Sequence, residues 1–77
     1  MVMASNMEIE EIIKGLTKGQ KIKIVCKNGI VVEGKVHFVE PDEEFGDEWT
    51  VTIDLANKGY WFYAPASDIK EIVILDD

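Results

Sequence analysis

The sequence predicts a small, mainly-β domain: five short antiparallel strands rolled into a barrel behind a short N-terminal α-helix. Three observations carry this. Gln20 to Glu40 holds two runs rich in β-branched residues, joined by Lys27-Asn28-Gly29. Three further short runs follow, Trp49–Leu55, Tyr60–Ala64 and Ile69–Leu75, each set off by turn-forming residues. A single segment of helical periodicity precedes them all. With 77 residues and no linker, repeat or low-complexity stretch, the chain is read as one domain: a leader over 1–4, a helix over 6–14 and a barrel over 20–75. A domain this small buries only roughly 60–65% of its unfolded surface, so its stability is modest or supplemented by self-association.

The helix is marked at both ends. Ser5 with Glu8 three residues on reads as a capping box, and Glu8, Glu10 and Glu11 suit the positive end of the helix dipole. Ile9, Ile12 and Ile13 form an apolar stripe. Lys14 and Gly15 close the helix, with Gly15 as a left-handed C′ residue and Leu16 folding back onto it. So short a helix needs a surface to lie on, and it is expected to cap one open end of the sheet.

The register of the first hairpin follows from its faces. A two-residue Asn28-Gly29 turn would set Ile24 opposite Glu33 and mix apolar with charged positions. A three-residue loop, Lys27-Asn28-Gly29, with Gly29 at positive φ pairs Cys26 with Ile30 and Ile24 with Val32, keeping one face apolar. Ile30, Val32, Val36 and Phe38 are then expected inside, and Lys35 and His37 outside. Gly34 falls mid-strand on the inner face, where a missing side chain allows a sharp bend.

Pro41 to Glu48 is an acidic loop. In the next strand Trp49, Val51, Ile53 and Leu55 alternate with Thr50, Thr52 and Asp54. The aromatic run Tyr60-Trp61-Phe62-Tyr63 cannot all face a core, because neighbours in a strand point opposite ways. A two-residue Lys58-Gly59 turn pairs Leu55 with Phe62 and Ile53 with Ala64; a three-residue turn would bury Trp61 and Tyr63 instead. Phenylalanine carries no polar atom to satisfy, so the first is chosen, with Tyr60, Phe62 and Ala64 inward. Trp61 and Tyr63 then lie exposed beside Thr52 and Asp54, a surface suited to a protein partner.

Composition excludes several functions. Eight lysines, no arginine and fifteen acidic residues leave a net charge of −7, and arginine is the usual reader of phosphate and guanine. The field repels a polyanion, which argues against nucleic-acid binding, although Lys21, Lys23, Lys27 and Lys35 gather on one hairpin face as its candidate contacts. One cysteine and one histidine make neither a disulfide nor a zinc site. Cys26 reads as an apolar filler, His37 as a surface residue, and Glu40, Asp42, Glu43, Glu44, Asp47 and Glu48 as a solvated loop rather than a cation site. No membrane span or secretory segment is visible, so a cytoplasmic, non-enzymatic protein without cofactor or metal is expected.

The helix, the Lys-Asn-Gly hairpin, the second strand with Gly34, and the closing Ser67-Asp68-Ile69-Lys70-Glu71-Ile72 resemble the Sm-like (LSm) family of SH3-like barrels, over about Glu8 to Leu75. The resemblance implies rings of subunits that bind RNA, with fourth and fifth strands pairing across the subunit boundary. The family's aromatic-Asp pair and its base-holding Asn fall here on Val39, Glu40 and Glu44, and its Arg-Gly on Pro65 and Ala66. The expected function is therefore an interaction or self-assembly module, homo-oligomeric through its strand edges. An RNA-binding Sm-like ring is the alternative.

Overall fold

The structure, a computed structural model, describes residues 6–55 and 59–75. Helix α1 (Asn6–Lys14) is followed by strands β1 (Lys21–Cys26), β2 (Val31–Asp42), β3 (Glu48–Asp54), β4 (Trp61–Pro65) and β5 (Ile69–Ile74). Short 3-10 turns span Glu43–Phe45 and Ala66–Asp68. The strands form one antiparallel sheet in the order β4-β3-β2-β1-β5. The mainly-β class, the five strands and the helix are those the sequence predicts. Closure is not: β4 and β5 are the two edges, and among the described residues they do not pair.

Helix α1 buries its isoleucine stripe against one face of the sheet. Ile9 and Ile13 are fully buried and Ile12 partly so, beside β3, β5 and the 66–68 turn. Each fully buried isoleucine contributes about 1.5–3 kcal/mol relative to exposure. Two polar contacts fix the helix. A Glu10 carboxylate oxygen accepts from the Trp49 N–H at 3.1 Å, and the Lys14 ammonium lies 5.7 Å from the centre of the Trp49 ring. The capping role of Ser5 and the leader 1–4 lie outside the described residues. Gly15 is not left-handed, contrary to expectation. Its N–H donates to Ile12 and Glu11, and the Leu16 N–H to Ile13, so the helix tightens into a short-range turn instead. The positive φ comes four residues later, at Gly19 (+89°).

The first hairpin has the predicted register. Ile24 pairs with Val32, the Cys26 N–H donates to the Ile30 carbonyl at 2.8 Å, and Gly29 has φ +93°. The Asn28 side chain accepts from the Ile30 N–H at 3.0 Å, holding the turn. Ile30, however, is exposed (48%), because no strand covers the end of the sheet where it stands.

Strand β2 runs on through Pro41 to Asp42, shortening the expected acidic loop. It also carries a bulge. Val36 pairs with Ile53 but Phe38 with Thr52, so His37 is one residue more than the partner strand has. The bulge exchanges the faces downstream. Val39, not Phe38, packs on the core, and Phe38 is 41% exposed on the outer face. The strict alternation expected for this strand is overturned there.

In the β3–β4 pair the predicted faces hold but the register slides by two. Ile53 pairs with Phe62 and Val51 with Ala64, and the Leu55 N–H donates to the Tyr60 carbonyl at 3.2 Å. Four residues, 56–59, therefore separate the strands rather than two; 56–58 lie outside the described residues. Tyr60, expected inside, is 56% exposed, because at this register it falls beyond the sheet.

Gly34 is buried and indispensable. A Cβ there would sit 2.4 Å from the Asp54 carbonyl oxygen and 3.1 Å from its carbon. The end of β3 thus curls across the inner side of β2, a close approach only glycine permits. The core gathers Ile22, Ile24, Cys26, Val36, Val51, Ile53, Ala64, Ala66 and Ile69 beneath α1.

Candidate functional site: an aromatic surface beside a free strand edge

The outer face of β2, β3 and β4 brings together side chains that the sequence spreads over 27 positions, from His37 to Tyr63. Residues directly opposite one another in antiparallel strands share a face. Phe38, Thr52 and Tyr63 therefore form one row, and Lys35, Asp54 and Trp61 the next. Trp61 is 60% exposed and Tyr63 46%. Thr52, flanked by Phe38 and Tyr63, is buried (4%) and serves as the floor of the surface rather than as a contact. Asp54 is exposed at its margin.

Two interactions hold the exposed rings. His37 stacks on Trp61, with ring centres 4.4 Å apart and planes 26° apart, and stands edge-on to Phe38 at 5.1 Å. The Tyr63 hydroxyl donates to Asp42 Oδ2 at 2.5 Å. That charge-assisted bond, more than burial, holds the Tyr63 phenol above its ordinary pKa of 10.0. Asp42 Oδ1 meanwhile accepts from the Glu44 N–H at 2.9 Å. Both rings are thus positioned without being covered.

The backbone of β4 adds to the surface. In an antiparallel ladder alternate residues direct their N–H and C=O to the same neighbour. The Leu55–Tyr60 bond places Phe62 and Ala64 in the pairs that bond β3. Trp61 and Tyr63 consequently turn their N–H and C=O groups to the open side, where no strand of the described residues lies. Pro65 has no N–H to offer and ends that edge.

Beneath the edge is a cleft of about 350 Å³. Its apolar walls are Phe62 and Ala64 from β4, and Cys26 and Ile30 from the first hairpin; Lys27 and Asp68 stand among its polar lining residues. It lies between β4 and the tip of the first hairpin. Cys26 itself is 5% exposed, and burial followed by the Asp68 charge raises its thiol pKa above the ordinary 9.0. A protonated, enclosed thiol is a poor nucleophile.

The lysines divide. Lys21 and Lys35 stand directly opposite one another, and Lys23 opposite Glu33 on the same face. Lys27 lies apart at the hairpin tip, its N–H donating to the Asp68 carbonyl at 2.9 Å. Glu33 and Asp54 interrupt the basic row. Among the described residues, no cluster of three or more His, Cys, Asp or Glu is arranged to hold a metal ion. No helix among them is long and apolar enough to cross a membrane.

The sequence places Trp61, Tyr63 and His37 outside, but strict alternation puts Phe38 inside, and Asp42 reads as part of a solvated loop rather than as the partner of Tyr63. The trace of the bulge was there to read. Val36 and Val39 are three apart in a strand otherwise of period two, an odd spacing that one extra residue explains. Comparisons of the chain with protein-family models, with curated proteins and with solved structures found no match.

Proposed function

We propose that this chain is a non-enzymatic protein-interaction or self-assembly module that works through the outer aromatics and free edge of β4. The observation that carries the reading is the coincidence of three features on one strand. Trp61 and Tyr63 are exposed, held in place by His37 and Asp42, and own the unpaired backbone groups. An exposed edge flanked by large apolar rings is costly unless something covers it. The two groups that could have served acid-base or nucleophilic chemistry have other places: His37 is stacked on Trp61 and Cys26 is buried. An Sm-like assembly, in which a second copy covers the edge, is one form of this reading.

Sedimentation velocity over a range of concentrations tests it. Concentration-dependent association, lost in Trp61→Ala, or binding of a partner strand lost in the same variant, is the expected result. A strict monomer at about 100 μM whose edge binds nothing would sink it.

The second reading is an RNA-binding Sm-like ring, favoured by the opposed pair Lys21 and Lys35 with Lys23 on one face. Titration with a uridine-rich oligonucleotide separates the two. Submicromolar affinity at physiological salt, lost when Lys21 and Lys35 are replaced by alanine, would favour the ring.

A further inference from the structure

We infer that the partner of the β4 edge is an extended basic segment of another protein, with apolar and cationic residues in alternation, added to β4 as a sixth strand. This rests on the interaction reading and names the chemistry of its occupant. The unpaired N–H and C=O groups of Trp61 and Tyr63 provide two bonding pairs, and Pro65 limits the added strand to a few residues. Side chains of such a strand alternate between the faces of the sheet. Those pointing inward enter the cleft lined by Cys26, Ile30, Phe62 and Ala64, which takes an aliphatic chain. Those pointing outward lie beside the rings of Trp61 and Tyr63.

Charge selects what the outward residues are. From Val36 to Ile69 the sequence has eight carboxylates, Glu40, Asp42, Glu43, Glu44, Asp47, Glu48, Asp54 and Asp68, against one lysine, Lys58. Asp42 and Asp54 lie on the same face as the rings, and Glu40 with them. A lysine or arginine there meets an aromatic face and a carboxylate field at once. An acidic strand meets mainly repulsion, and a second copy of a chain of charge −7 is repelled as a whole. Two described cations stand nearby, each beside a carboxylate residue: Lys27 lines the cleft with Asp68, and Lys35 stands opposite Asp54 in the row of Trp61.

The test uses the full chain and three fluorescein-labelled peptides. One alternates lysine with valine, one alternates glutamate with valine, and one is the lysine peptide with its edge-facing amides N-methylated. Anisotropy should show the lysine peptide binding at least about tenfold more tightly than the glutamate peptide, weakening as salt is added. N-methylation, which leaves the protein untouched, should abolish binding. Trp61→Ala, on an exposed position, should weaken it by at least about tenfold. Amide exchange of Trp61 and Tyr63 should slow in the complex. Equal binding of the acidic peptide, or binding indifferent to N-methylation or to Trp61→Ala, would overturn the inference. If no peptide binds but the chain self-associates through Trp61, the basic occupant is wrong and the interaction reading stands. If neither occurs, both fall.

Discussion

At the scale of single residues, the glycines separate geometry from composition. Gly34→Ala would drive a Cβ into the Asp54 carbonyl, which is backbone and cannot swing aside, so it should destabilise by about 3 kcal/mol or more in urea unfolding. Gly15→Ala places its Cβ 3.6 Å from the nearest atom, at no positive φ, and should be neutral or stabilise by about 0.5 kcal/mol. Cys26 offers a pH-dependent check. Its thiol pKa is raised in the folded state, so the folded form holds the proton more tightly than the unfolded one. That contribution is whole below the unfolded value near pH 9 and is lost as pH climbs through the raised folded value. The stability gap between the wild type and Cys26→Ala should therefore narrow above about pH 9, with alkylation of the native thiol slow throughout. Gly34 was legible as a special position from its place mid-strand on the inner face. That Gly15 would end its helix without a left-handed residue was not, because Lys14-Gly15-Leu16 suits either ending equally well.

Among the elements, α1 and β4 behave differently towards substitution. Ile13→Ala opens a cavity beneath α1 and should cost about 3 kcal/mol, whereas Glu10→Ala removes one partly buried bond to Trp49 and should cost about 1 kcal/mol. On β4, Phe62 lines the cleft and is only partly buried, so Phe62→Ala should cost about 2 kcal/mol, less than for a sealed core. Trp61→Ala should change stability by under about 1 kcal/mol while weakening association; chemical denaturation beside sedimentation checks the pair. If the costs came out reversed, the faces of β4 would be misassigned. Those faces were legible in the sequence because burial of Phe62 fixes parity. The register was not, since sliding a strand by two residues preserves every face and only the length of the 56–59 connection distinguishes the choices. In β2 the reverse happened: the hairpin register was readable from Cys26, Ile24 and their partners, and the bulge at His37 then defeated the alternation beyond it.

For the molecule as a whole, charge sets how assembly responds to salt. Copies of charge −7 repel at long range, and the Debye length falls to about 10 Å at 0.1 M salt. Self-association through apolar rings and strand edges should accordingly strengthen as sodium chloride is raised, whereas the lysine peptide should bind more weakly. Sedimentation and anisotropy across one salt series would show opposite slopes. Five strands, their antiparallel sense and the helix against them were all readable from periodicity and turn chemistry. The open seam was not: whether β4 and β5 meet depends on accumulated twist and bend along the sheet, which no local spacing encodes.

One residue governs much of that bend. Because Val36 and Phe38 face adjacent residues of β3, the ladder would run unbroken if His37 were simply missing. Every side chain from Phe38 to Asp42 would keep its present face. What would go is the extra twist a bulge puts into its strand, together with the ring on which Trp61 rests. His37 is thus a spare stitch in the fabric: deleting it should leave the pattern intact, flatten the cloth, and let the two free selvedges drift further apart.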